Sequence, residues 1–236
     1  MSEVKNLIIK PIKAEIARVF VAKNHYSGKT VQNSILHFGV FMNGVLGGVM
    51  QYGSPIDKRK VIGLVEGTKW NGFLELNRMA FADWLPKNSE SRALAVSFRL
   101  IKKHYPHIEW ILSFADGTQC GDGTIYRASG FLLTQINPNK TIWEAPNGTK
   151  HSDLGLRLNK TTLTKGKHLG STGGASSMKP FIEMGYKPLA GFQLRYIRFL
   201  NDDARKRLTV PVLPFSAIAE AGAGMYKGER RAEISD

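Results

Sequence analysis

Residues 37–53, HFGVFMNGVLGGVMQYG, contain two apolar runs hinged on Asn43-Gly44. That dipeptide suits a primed two-residue turn, so the segment predicts an antiparallel hairpin. A chain committed to such a pair must extend it into a sheet and cover the apolar face. The flanking segments predict what does so. LIIKPI (7–12) reads as a strand ending at Pro11, AEIARVFVAKNHY (14–26) as a helix, and FLELNRMAF (73–81) as an alternating strand. RALAVSFRLIKKHY (92–105) is the clearest helix, with Ala93, Ala95, Val96 and Leu100 as core candidates and basic residues near its end, where they favour the helix dipole. EWILSFAD (109–116) is short and mostly apolar, as a central strand should be. A short helix over GTIYRASGF (123–131) and strands over FLLTQI (131–136) and FQLRYIRFL (192–200) follow. This order predicts an α/β (α+β) fold, a mixed central sheet flanked by helices.

The chain has 236 residues, enough for one large domain. Its texture changes after residue 136. Between Lys150 and Arg207 there are 12 Lys and Arg against 4 Asp and Glu, and GSTGGASS (170–177) reads as a mobile loop. The expected organisation is one domain over 1–215 that carries a basic, partly mobile insertion (150–191) before the last strand. A tail (216–236) follows, poorly ordered or docked.

Over the whole chain 33 basic residues oppose 19 acidic ones, a formal net charge of +14. Such a field attracts polyanions, nucleic acid first and an anionic membrane surface second. Cys120 is the only cysteine, which excludes an intramolecular disulfide and a zinc site of several thiolates, and fits a reducing, cytoplasmic setting. The N-terminus does not read as a signal peptide, and no apolar run approaches the roughly 20 residues that span a bilayer. No GxxxxGK[ST] is present, and GDGTIYRASG lacks GxGxxG spacing, so neither nucleotide motif is supported.

Candidate chemistry gathers at strand and helix ends. The loop WLPKNSESRA leads into the long helix, so the free amides of Ser91, Arg92 and Ala93 would face an anion, with Ser89 and Ser91 as caps. Arg78 interrupts a strand suited to burial and needs an anion or acceptors, with Glu75 as a structural partner. Asp116 ends the next strand, and the two meet in one crevice if their strands are neighbours. His25 and Tyr26 close the first helix, where imidazole beside phenol serves proton transfer or metal ligation with Asp116. No HxH or HExxH pairing occurs, and Cys120 reads as a small buried residue.

The ordered set HYSG (25–28), ELNRMAF (75–81), NSESRALAVSF (88–98), SFADGTQCGDGTIYRASGF (113–131) and LRYIRFLNDDARKRLTVPVLPF (194–215) resembles the phage proteins related to the Mom DNA-modification protein of bacteriophage Mu, on the GNAT acyltransferase fold. The resemblance implies an acetyl-CoA or related thioester site where a splayed strand pair meets the helix near Arg92. KNSESRA stands where that fold commonly carries RxxGxG/A. It implies a carbamoylmethyl-type group added to adenine N6 of phage DNA in the host cytoplasm, which shields the DNA from restriction. His25, Tyr26, Arg78, Ser91 and Asp116 match the functional set, and Tyr126 the position that often protonates the leaving thiolate. Simple acyl transfer does not yield a carbamoylmethyl group, so a rearrangement, another donor or a divalent metal such as iron enters the expectation.

On this reading Asp116 accepts the N6 proton, Arg78 holds phosphate or oxyanion charge, and Tyr126 returns a proton to sulfur. The duplex hides N6, so the adenine flips out. Lys165, Lys167, Arg195, Arg198, Arg205, Lys206 and Arg207 would meet DNA, with Trp143, Tyr196 and Phe199 as stacking surface. The alternatives are a GNAT N-acetyltransferase for a protein or small amine, and a DNA-binding protein without catalysis. A homodimer stays open.

Overall fold

The computed structural model describes residues 3–158, 177–226 and 229–230. The chain opens with β1 (Ile8–Pro11), α1 (Ala14–Asn24), β2 (Ser34–Met42) and β3 (Val45–Gly53). At the β2–β3 turn Asn43 and Gly44 have φ of 52° and 79°, the two left-handed residues a type I′ hairpin needs. Next come α2 (Arg59–Ile62), β4 (Phe73–Phe81), α3 (Ser89–His104), β5 (Trp110–Gly117), α4 (Thr124–Ala128) and β6 (Leu132–Pro138). β7 (Ile142–Glu144), β8 (Lys150–Ser152), α5 (Asp153–Leu158), α6 (Lys179–Glu183) and β9 (Lys187–Pro188) precede β10 (Phe192–Phe199). The chain then forms α7 (Asp202–Lys206), α8 (Ala217–Glu220), β11 (Met225–Tyr226) and β12 (Glu229–Arg230).

The central sheet has seven strands in the order β1-β2-β3-β4-β5-β10-β6. Its neighbours are antiparallel except β4 and β5, which run parallel. α3 supplies the crossover between that pair, because parallel strands cannot be joined by a tight turn. Its buried residues Ala93, Leu94, Ser97, Phe98 and Ile101 recur at helical spacing and form one stripe on the sheet. The one hydroxyl in that stripe, Ser97, lies 2.6 Å from the buried Tyr52 hydroxyl and is satisfied there. The opposite face is covered by α1 over Val49 and Ala80, and further along by α2 and α7 over Phe73, Trp110, Leu112 and Ile197.

Two features of β4 position the site. It pairs with β5 only at Phe73, Leu74 and Glu75, opposite Trp110, Ile111 and Leu112. Beyond that the strands part, although β4 runs on to Phe81 and β5 to Gly117. A bulge then sets Asn77 between the pairs Tyr52–Leu76 and Gln51–Arg78, so the side chains after it change face.

The insertion begins earlier than the basic composition predicts. β8, β7 and β9 form a separate three-stranded sheet, and Trp143, Leu156 and Phe181 are buried together in a small core of their own. Asn139 clamps its ends: the side-chain amide donates to the carbonyls of Ile142 (2.8 Å) and Leu189 (2.7 Å). The segment GSTGGASS, except for its last residue Ser177, lies outside the described residues. In the C-terminal segment Ile218, Ala223 and Met225 are buried, and the Met225 carbonyl accepts from the Asp122 amide at 3.1 Å. No described helix is long and apolar enough to cross a membrane.

Candidate active site

The gap between β4 and β5 joins two cavities. On the α3 face one of about 500 Å³ is lined by α3, α4 and the β5–α4 turn. On the other face one of about 510 Å³ lies under the β7–β8 hairpin of the insertion. Six residues line both: Tyr26, Leu76, Asn77, Arg78, Phe114 and Asp116. Parting strands cannot fill the space between them with backbone hydrogen bonds, so side chains from the bulge, the end of β5 and the segment after α1 meet there.

Asp116 lies at this junction with its oxygens occupied. Oδ1 accepts from the Thr118 amide (3.0 Å), the Thr118 hydroxyl and Gln193 Nε2 (3.1 Å). Oδ2 accepts from the Tyr26 hydroxyl (3.1 Å) and Gln119 Nε2 (3.3 Å). Five donors converge on a group with about four lone-pair sites. The expectation that Asp116 takes a proton from substrate meets a physical obstacle, since an incoming proton must displace one of them. The geometry suits an anchor that aims Tyr26.

Tyr26 is half exposed to the cavities, and burial followed by the Asp116 charge holds its phenol well above the usual range. It stays a donor. The His25 ring lies beside it, tilted by 32°, with ring centroids 4.3 Å apart. The Ser27 amide donates to His25 Nδ1 at 3.2 Å, so the ring proton sits on Nε2. Burial and then the Arg78 charge lower the His25 pKa to about 4, against an opposing pull from Asp116. The ring is therefore a neutral donor near pH 7. Among the described residues no three His, Cys, Asp or Glu side chains group to hold a metal. His25 and Asp116 lack a third ligand there, and that donor set does not fit iron.

Arg78 lines both cavities as expected, but Glu75 forms no ion pair with it among the described residues. The guanidinium donates to the carbonyls of Asn77 (2.7 Å) and Lys29 (3.4 Å), tying the HYSGK segment to the bulge. Tyr126 lines the α3-side cavity against Tyr196 and Phe131, and burial raises its pKa to about 12, which keeps it protonated. Cys120 is exposed and lines the same cavity, contrary to its reading as a packed residue. Burial and the Asp116 charge raise its pKa, so it stays a thiol.

At the start of α3 the helix begins three residues before the predicted boundary. The Arg92 amide is used within the helix, on the Asn88 carbonyl, and Ala93 is fully buried. Ser89 is buried as well, its hydroxyl donating to the Pro86 carbonyl. The amides without an intrahelical acceptor are accordingly those of Glu90 and Ser91. Of the four residues expected to bind the cofactor, Ser91 lines the cavity, together with Lys87 and Glu90.

The expected stacking surface is corrected most. Trp143 and Phe199 are 8 % exposed and Tyr196 is fully buried, its hydroxyl donating to the Asp122 carbonyl at 2.6 Å. Core packing has consumed the proposed stacking faces. Arg195 donates to Thr134 Oγ1 (3.0 Å), and Arg198 to the Gly130 carbonyl (3.3 Å). Lys206 pairs with Asp203 and Arg207 with Glu109, each at 2.7 Å. Arg205 is exposed, but it shares that cluster. Because Phe199 pairs with Trp110 while Phe192 pairs with Gly117, the Arg205–Arg207 cluster that follows β10 sits beyond the far end of β5, about 20 Å from Asp116 at a strand's rise per residue, whereas Arg195 pairs opposite Phe114, two residues from it. Lys165 and Lys167 lie outside the described residues.

Three contributors, Phe114, Lys29 and Lys150, escaped the sequence reading, and a fourth, Glu75, entered it only as a structural partner of Arg78. Phe114, 41 % exposed, lines both cavities. Glu75 and the cations Lys29 and Lys150 line the insertion-side cavity, and burial raises the Glu75 pKa to about 7. An acid inside an apolar strand was the available signal.

A mixed sheet whose single parallel pair splays over a crossover helix, with cavities meeting through the splay, is the α/β architecture that the resemblance to GNAT-fold proteins implies. Within that class the chain belongs to the Mom protein family, whose model matches residues 6–217. It is 35% identical over 205 residues to "Methylcarbamoylase mom" of Escherichia phage Mu, covering 86% of this chain and 80% of the relative. Similar solved structures include the spermidine/spermine N-acetyltransferase SpeG of Vibrio cholerae (8% identity, TM-score 0.48, 87% of this chain and 99% of that one). Another is a Bacillus subtilis acetyltransferase in complex with CoA (10% identity, TM-score 0.42, 82% and 98%).

Proposed function

We propose that this protein is a DNA-modifying transferase of the Mom type, which adds a carbamoylmethyl-type group to adenine N6 in phage DNA and so protects it from host restriction. The observation that carries the reading is the pair of cavities sharing one junction. A donor and an acceptor can approach from opposite faces of the sheet and meet at Tyr26, Arg78 and Asp116.

The α3-side cavity takes a CoA-type donor. Ser91, the free amides of Glu90 and Ser91, and Lys87 face its phosphates, while the Glu90 carboxylate works against them. The thioester end reaches Tyr126, a phenol that retains its proton until a thiolate forms. Neutral His25 presents an N–H donor and Arg78 a fixed cation toward charge developing at the junction, while the Tyr26 hydroxyl is committed to Asp116 and fixes both side chains there.

The insertion-side cavity takes the flipped adenine. Phe114 offers a stacking face, worth ~1–3 kcal/mol per base at such sites. Lys29 and Lys150 stand exposed at the cavity and form no ion pairs among the described residues, so they are free to meet flanking phosphates. Incubating the purified protein and a CoA thioester with duplex DNA, with free amines or with basic proteins separates the readings by mass spectrometry. A new deoxyadenosine product supports the proposal; turnover on amines or proteins alone would favour an N-acetyltransferase, and salt-dependent binding without any product a DNA-binding protein.

A further inference from the structure

We propose that Glu75 is the group that accepts the N6 proton as the adenine amine attacks the donor, a role that rests on the DNA-modification reading above. Glu75 occupies the last paired position of β4 and β5, opposite Leu112, at the apex where the strands part. Its side chain lines the insertion-side cavity, on the sheet face that carries Phe114 and Asp116 further along β5. A base stacked on Phe114 would lie in the cavity that the Glu75 carboxylate also lines.

Geometry separates the two acids at this junction. The Asp116 oxygens are filled by five donors, whereas Glu75 shares a hydrogen bond with the Asn77 side chain and no cation bridges it among the described residues. The other ionisable groups around the cavity are Arg78 on β4, Asp116 on β5, Tyr26 and Lys29 after α1, and Lys150 and His151 from the insertion; Tyr126 lies across the gap on α4. Burial outweighs a hydrogen bond from the Asn77 side chain and the pull of Arg78 and brings the Glu75 pKa to about 7, which suits an acid that must take and release a proton near neutrality.

With a thioester donor the step balances as acyl transfer and leaves an N6-acyl adenine, so a carbamoylmethyl-type product needs a rearrangement after it. The N6 lone pair forms the N–C bond, and the C–S bond breaks with its electron pair on sulfur. The N6 proton passes to Glu75, which becomes a neutral carboxyl, and the thiolate takes a proton from Tyr126. Glu75 then returns its proton to the phenolate through solvent.

Glu75→Gln provides the test, because an amide still accepts the N6–H hydrogen bond and fits an adenine edge but takes no proton. Cells expressing equal amounts of wild type, E75Q and E75D would have their DNA digested and modified deoxyadenosine quantified by mass spectrometry. Purified proteins would be compared for duplex binding by fluorescence anisotropy. The expected result is E75Q binding within about twofold of wild type with product reduced by about 100-fold or more, and E75D recovering part of it. In lysates given plasmid, the wild-type rate should rise through pH of about 7 and level off, and the residual E75Q rate should lack that limb. E75Q product within about threefold of wild type, or binding and product lost in parallel, overturns the assignment. Absence of product from wild type itself brings down the DNA-modification reading, and this role with it.

Discussion

The Tyr26 hydroxyl donates to Asp116 Oδ2 across 3.1 Å, joining residues 90 apart in sequence at the point where the two cavities meet. Tyr26→Phe removes that donor while keeping the ring on His25. DNA modification should fall by about 10²-fold, as for a misplaced site group, because Asp116 and the Tyr26 ring lose the bond that fixes them at the junction. Thermal unfolding should change by less than about 1 kcal/mol, since the tyrosine is half exposed. Asp116→Asn, which sets an amide N–H against a ring of donors, should cost about 1–3 kcal/mol in the same assay.

Glu75 makes stability depend on pH in a defined direction. Its pKa is raised on folding from 4.5 to about 7, so the folded state binds more protons than the unfolded state between those values. Its contribution is most favourable below pH 4.5 and is lost as pH rises through about 7. Glu75→Gln should gain on the order of 1–3 kcal/mol over wild type at pH 8, with the gain shrinking toward acid. His25 runs the other way: lowered to about 4, it destabilises the fold as pH falls below its ordinary 6.5. Denaturant titrations of wild type and E75Q across pH measure both.

Gly123 precedes α4 with φ +88°, and a Cβ there would lie 2.5 Å from the buried Tyr196 ring. Gly123→Ala should destabilise by about 1–3 kcal/mol through overpacking and backbone strain. It should also reduce modification, because the turn it distorts carries Tyr126 into the α3-side cavity. Calorimetry on the purified variant gives the first number and nucleoside analysis the second.

Charge reversal separates the two candidate DNA surfaces. K29E/K150E, at the insertion-side cavity, should weaken duplex binding and flatten its salt dependence by about two phosphate contacts. R205E/K206E, about 20 Å away by strand spacing, should leave the salt slope near that of wild type. Anisotropy titrations at several salt concentrations decide between them.

The fold was legible where local chemistry decides it. Asn43-Gly44 dictated the hairpin turn, and alternation marked β4 over its full length. The start of α3 was misplaced because Ser89, Glu90 and Ser91 read as a polar loop; the Ser89 side chain is instead buried. The insertion core was hidden because Trp143, Leu156 and Phe181 are dispersed along the chain and share no period.

Site residues at element ends could be read: His25, Tyr26, Arg78, Asp116 and Tyr126 all line the α3-side cavity. Glu75 could not be assigned, because its environment depends on the splay and on a bulge that alters facing two residues later. The arginines of β10 misled for a related reason. Their acceptors, Thr134 and the Gly130 carbonyl, come from segments some sixty or more residues away.

The central claim is covalent modification of adenine in DNA. Its most direct test is nucleoside mass spectrometry of DNA digested from cells expressing the wild-type protein, beside an Asp116→Asn control. A carbamoylmethyl-type deoxyadenosine is expected in the wild-type sample, greatly reduced in the control. Deoxyadenosine left wholly unmodified, in cells shown to contain the intact protein, would contradict it.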